Sequence, residues 1–228
     1  MTPETRLNHM LPLLLHVATA ITGLIDAISY LALGHVFTAN MTGNVVFLAF
    51  AVAGAPGLSI PRSLTALGAF FIGAVIGGRL ATRLAELVRP NWVTTALSLE
   101  AVLLLVATLA AINFRDSSGS LFQSYSIIVL TALSMGIRNA TVRKMGIPDL
   151  TTTVLTLTIT GLAADSRFAG GTSPRWRRRL LAVLLMFFGA AIGTLLLRRS
   201  LVLPLATATL LSICCVVISM RRRDTATR

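Results

Sequence analysis

The chain is poor in charge, and poorest in acid. Only 12% of its 228 residues are charged, and Asp plus Glu number 8 against 20 Lys plus Arg. A soluble domain of this length needs far more polar surface, so that class is excluded. Cysteine is scarce too. The 2 cysteines, Cys214 and Cys215, are neighbours in an apolar run, which rules out a disulfide framework. No CxxC or His/Cys spacing suggests a metal, and no HExxH, GxSxG or Walker A sequence is present. An intramembrane aspartyl enzyme needs two close carboxylates, and only Asp26 and Glu100 lie clearly within long apolar runs. The expectation is therefore no enzyme, no catalytic residue, no cofactor and no metal.

What the chain has is apolar length. Hydrophobic residues make up 55% of it, and the mean hydropathy is +0.82. Long apolar runs lie at 11–33, 60–80, 92–112, 120–140, 180–197 and 202–220, with shorter ones at 41–55 and 152–164. Runs of about 20 apolar residues mark transmembrane helices, whereas a barrel would show ~10-residue alternating strands. Run 11–33 is longer than a signal-peptide core of roughly 7–15 residues and carries Asp26, so it reads as a membrane helix. The fold class is all-α: a polytopic helical membrane protein in a lipid bilayer, forming a single membrane domain over 1–228.

The 20 basic residues include 19 arginines, gathered at the ends of apolar runs: Arg175, Arg177, Arg178 and Arg179 before one, Arg221, Arg222 and Arg223 after another. That is a topology and headgroup pattern rather than a nucleic-acid footprint, so no nucleic-acid partner is expected.

Residues 64–83 and 180–199 match at 9 of 20 positions, Phe71/Phe187, Gly73/Gly189, Ile76/Ile192 and Gly77/Gly193 among them. Gly23-Leu24-Ile25-Asp26-Ala27 likewise lines up with Gly136-Ile137-Arg138-Asn139-Ala140. The chain thus divides into halves at 11–112 and 120–220, each with three full crossings plus one short or half helix. If only the long runs cross, with the N-terminus inside, 16 Lys and Arg collect on the cytoplasmic side; if all eight cross, the split is 12 to 8. The positive-inside rule favours six crossings, both termini cytoplasmic and, with an odd number per half, pseudo-symmetric inverted halves. Inverted repeats are characteristic of transporters with a midplane site. The expectation is a small-molecule secondary transporter for an unknown solute or ion, its substrate held between 41–55 and 152–164. A passive channel and a membrane scaffold are the alternatives. A homodimer is compatible with a bundle this small.

Asp26 is the strongest single candidate. A carboxylate at membrane depth is costly unless paired, protonated or hydrated, and such residues often mark ion or proton paths. Asn40-Met41-Thr42-Gly43-Asn44 follows an irregular stretch and opens a short helix, where free N–H groups can face a ligand. Thr152, Thr153 and Thr156 occupy the matching place in the second half. Arg138 and Asn139 end a long run; Arg138 is expected either to neutralise Asp26, to hold an anion, or to snorkel at a helix end. Glu100 and His16 are lesser candidates for a proton path. Gly73-xxx-Gly77 and Gly189-xxx-Gly193 read as the packing seam between the halves.

The stretches Gly23-Leu24-Ile25-Asp26-Ala27-Ile28-Ser29-Tyr30-Leu31 and Phe37-Thr38-Ala39-Asn40-Met41-Thr42-Gly43-Asn44 together resemble the YoaK-like family of bacterial membrane proteins, over essentially the whole chain. The resemblance implies an inner-membrane location and points to no particular substrate. The second half departs from the pattern: Arg138 stands where that family usually has Gln, and Leu155-Thr156-Leu157 where a second Met-Thr-Gly is expected.

Overall fold

The computed structural model describes residues 3–87, 91–112, 121–145 and 155–226, with side chains described over 13–83, 92–112, 121–145 and 155–220. Eight α-helices appear there: α1 Pro3–Ala32, α2 Met41–Val52, α3 Ile60–Leu87, α4 Asn91–Ala111, α5 Leu121–Met145, α6 Leu155–Ala164, α7 Trp176–Leu197 and α8 Val202–Ala226. One 3-10 turn, Arg167–Ala169, follows α6. Six of the helices, α1, α3, α4, α5, α7 and α8, are long and apolar enough to cross a bilayer. At 1.5 Å per residue, α2 and α6 reach only about 15–18 Å, short of a ~30 Å hydrocarbon core. The long and short runs of the sequence therefore become long and short helices, with ends displaced by a few residues.

Local chemistry sets the boundaries. α1 stops at Gly34, whose φ of +90° is left-handed; a side chain there would also run into Arg62. Asn40 is the N-cap of α2 and its side chain accepts the Gly43 N–H at 3.3 Å. Pro61 and Pro204 sit in the first turns of α3 and α8, where a missing N–H costs nothing.

α1 is the most enclosed helix and α5 the next, while α3 and α7 expose apolar side chains such as Phe71, Ile72, Phe187 and Phe188. In a membrane such faces meet lipid. The tightest helix pairings run between distant parts of the chain: α1 lies on α7 and α5 lies on α3. Glycine makes both approaches possible. A Cβ on Gly23 would overlap the Met186 carbonyl of α7, and one on Gly189 the Ala20 carbonyl of α1. In the other pair, a Cβ on Gly136 would overlap the Phe70 carbonyl of α3, and one on Gly73 the Leu133 carbonyl of α5. The glycine pairs that the sequence marked as a seam are thus buried against other helices of the same chain. α4 and α8 close the bundle, and their buried hydroxyls meet: Thr94 with Ser219 at 2.8 Å and Thr108 with Thr209 at 3.0 Å.

Candidate functional site

The deepest charges in the bundle meet each other. Arg138, 2% exposed, and Glu100, 1% exposed, form a two-pronged ion pair. The Arg138 Nε donates to Glu100 Oε2 at 2.9 Å, and its Nη2 donates to Oε1. The remaining Nη1 donates to the Ala18 carbonyl at 2.9 Å and reaches the Thr22 hydroxyl at 3.4 Å. Ser212 donates to Glu100 Oε1 at 2.8 Å. Four helices, α1, α4, α5 and α8, thus converge on one charge pair. Parallel donation from a planar guanidinium to a carboxylate is the strongest form of such a bond.

A cavity of about 30 Å³ adjoins the pair, between the first halves of α1 and α4 and the last turns of α5. Leu14, Leu15, Val93, Leu97 and Val142 line it with apolar surface, and Glu100 and Arg138 supply its charge. Its size is about that of one water molecule.

This arrangement corrects the sequence reading at several points. Arg138 does not neutralise Asp26: it bonds Ala18 and Thr22 on α1, one turn short of it, and takes its carboxylate from α4. Nor does Arg138 snorkel, being buried seven residues before α5 ends. Glu100, a lesser candidate in the sequence, is bonded to Arg138 and Ser212.

Asp26 serves the start of α2. Its Oδ1 accepts the Ala39 N–H at 3.0 Å and the Asn40 N–H at 3.3 Å. Asn44 is fully buried; its Oδ1 accepts the Phe37 N–H at 2.8 Å, and its Nδ2 donates to the Phe37 carbonyl. Tyr30, Phe37 and Phe47 pack as rings beside it. Gly43 faces the Phe37 ring too closely to carry a side chain. Thr42 is exposed. Asp26, Asn40, Gly43 and Asn44 therefore come together around the loop at 33–40, with Thr42 outside that cluster.

The second-half candidates do not join them. Thr152 and Thr153 lie outside the described residues, Thr156 is exposed, and Asn139 is half-buried beside Arg138 on α5. Among the described residues α2 packs on α3 and α6 on α7, and the two short helices do not touch. Among the described residues the two short helices form no shared site, because each is tied to the long helix that follows it. In α6 that tie includes buried Arg179, which donates to the Gly161 carbonyl at 2.7 Å and to Asp165 Oδ2 at 2.6 Å.

Thr22 and Ser212 escaped the sequence reading. Thr22 sits four residues before Asp26, on the same face of α1, and that spacing is the signal that could have found it. Ser212 is one of several small polar residues in its apolar run and has no comparable mark.

No solved structure matches the chain. The UPF0700 transmembrane protein YoaK of Bacillus subtilis (strain 168) is 38% identical over 165 residues, covering 72% of this chain and 69% of that protein. The family described as "Protein of unknown function (DUF1275)" matches residues 14–218. With that match reaching into all six long apolar helices, the chain is a multi-pass integral membrane protein and belongs to the DUF1275 family.

Proposed function

We propose that the protein is a secondary transporter for a small solute, with Glu100 and Arg138 at its centre. The buried ion pair carries this reading. Two charges inside a bilayer are costly, and buried pairs contribute little net stability, so their presence points to use rather than support. The pair sits where four helices meet and borders a cavity, as a substrate site requires. Its occlusion favours a carrier, which opens to one side at a time, over a standing pore.

The packing supports two inverted halves. Gly23 on Met186 corresponds to Gly136 on Phe70, and Gly189 on Ala20 corresponds to Gly73 on Leu133, at the offsets that align the two copies in sequence. Each half lends its first long helix to the second long helix of the other, so rocking one pair against the other would open the centre. The scaffold alternative loses its main support, since the glycine faces offered for a partner helix are occupied within the chain. The same reading places the protein in the inner membrane without a catalytic step. The ends bearing Arg79, Arg83, Arg143, Lys144 and Arg177 face the cytoplasm, and those bearing Arg62, Arg198 and Arg199 face outward.

The test is thermal unfolding of purified protein against a panel of metabolites and ions, with saturable uptake into proteoliposomes in parallel. Binding raises stability by mass action. A solute-specific rise, lost in a folded Glu100→Gln/Arg138→Gln double variant, is the expected result. If no solute stabilises the protein and none is taken up saturably, the carrier reading is wrong.

A further inference from the structure

We infer that the site at Glu100 and Arg138 takes a small monocarboxylate with a short apolar tail, together with one proton on Glu100. The inference rests on the carrier reading above and names its cargo. Arginine keeps its charge at all physiological pH values, whereas a glutamate can be neutralised by a proton. The closed pair is neutral overall. A cation that displaced Arg138 from Glu100 would strand a guanidinium against apolar walls, the costliest outcome for this site. An anion that displaces Glu100 leaves only a carboxylate in need of a proton. One anion and one proton therefore enter together, and the site stays neutral throughout.

The geometry suits a carboxylate among anions. Nε and Nη2 of Arg138 already hold the two oxygens of a carboxylate, that of Glu100, and can pass to a second one of the same shape. Nη1 stays on Ala18 and Thr22. Ser212 remains beside protonated Glu100 as a hydrogen-bond partner. Phosphate or sulfate has oxygens beyond the reach of one guanidinium fork and needs further donors. The one hydroxyl-bearing residue along the cavity, Thr141, already donates to the Ile137 carbonyl at 2.8 Å. The other walls are apolar and the closed cavity has room for only about one water, so the tail is short and uncharged and enters only as the Glu100–Arg138 pair opens. Among the described residues the charged and titratable groups facing Glu100 are Arg138 from α5 and Cys215 from α8, while the Ala18 carbonyl and Thr22 of α1 meet Arg138. One proton from the side the substrate enters forms an O–H bond on Glu100 and leaves on the other side, one salt bridge is exchanged for another, and the substrate's own covalent bonds are unchanged.

The experiment uses the full-length protein in proteoliposomes with radiolabelled pyruvate or lactate and an inward proton gradient. Saturable uptake is expected, stimulated by the gradient and competed by excess lactate but not by neutral lactamide. Glu100→Gln should lose the response to the gradient, so that any uptake left in it no longer changes with pH. Arg138→Gln should lower uptake by about tenfold to a hundredfold, the scale of losing a charged two-pronged bond. Single variants leave a charge unmatched, so the double variant Glu100→Gln/Arg138→Gln, whose amides can still pair, carries the same expected loss in a neutral core. A folded Glu100→Gln protein that still follows the proton gradient overturns the inference. So does a wild-type protein that carries a neutral solute or a cation but no monocarboxylate; in that case the carrier reading survives. Absence of saturable flux for every solute removes both.

Discussion

Arg138 on α5 and Glu100 on α4 lie 38 positions apart and close as a two-pronged ion pair, with the third arm of the guanidinium on the Ala18 carbonyl of α1. The pair joins helices from both halves of the chain, so any motion between the halves must deform it or move it as a unit.

Breaking that pair on one side should cost more than removing it. Arg138→Met leaves Glu100 buried with Ser212 alone, and the expected loss is about 3–5 kcal/mol of stability. The double change Glu100→Met/Arg138→Met should recover most of that loss, because apolar side chains suit the surrounding walls. Unfolding in mild detergent, followed by tryptophan fluorescence, measures both. A double variant as unstable as either single one would show that the pair is not what couples α4 to α5.

Asp26 and Asn44 hold the loop before α2. Asp26→Asn keeps an oxygen for the Ala39 and Asn40 N–H groups, whereas Asp26→Ala removes it. The alanine variant should lose about 1–3 kcal/mol locally and the asparagine variant less. Asn44→Ala strips the Phe37 N–H and carbonyl of their partner and should act on the same segment. Hydrogen exchange over residues 36–44 is the readout. Unchanged protection in Asp26→Ala would mean that the loop holds itself without the carboxylate.

The glycines sort into two groups by position alone. Gly73→Ala and Gly189→Ala push a methyl into a backbone carbonyl of the facing helix, and each should cost about 1–3 kcal/mol through forced separation. Gly68→Ala and Gly78→Ala meet nothing within 4 Å, and should be neutral or stabilising by up to about 1 kcal/mol, the helix-propensity difference. All four changes fall within the α3 and α7 helices, so midpoints of thermal unfolding compare them directly. Equal effects in the two groups would refute the close approach of α3 to α5 and of α7 to α1.

The hydroxyl pairs between α4 and α8 should be weak individually. A double-mutant cycle on Thr108 and Thr209, using Val at each, is expected to give a coupling of about 0.6 kcal/mol, the usual size inside a bilayer. A coupling of zero would place the two hydroxyls out of contact in solution.

Much of the fold was legible in the chain because each helix is a local decision. A run of about 20 apolar residues in a bilayer must satisfy its own backbone, and only a helix does so within one segment. Runs 41–55 and 152–164 read as short because they are short, and α2 and α6 span fewer residues still. The seam glycines were visible as paired motifs. Asn40 read as a ligand candidate in the sequence; the Gly43 hydrogen bond shows it as the N-cap of α2.

The charged centre was not legible in the same way. Glu100 looked like an isolated acid in one run and Arg138 like the basic end of another, and Ser212 carried no signal. What joins them is the lateral order of helices, which hydropathy does not encode, since every long run is apolar enough to cross a bilayer. That order follows from steric fit: Gly23, Gly73, Gly136 and Gly189 allow α1 onto α7 and α5 onto α3, which brings α4 and α8 in around them. Asp26 shows the same division. Its depth in α1 is a matter of counting residues, but whether it meets Arg138 or the N–H groups of Ala39 and Asn40 depends on where a loop folds back. The segments that cross, and the charges buried within them, were therefore set by composition along the chain; which buried charges meet was decided by packing between helices distant in sequence.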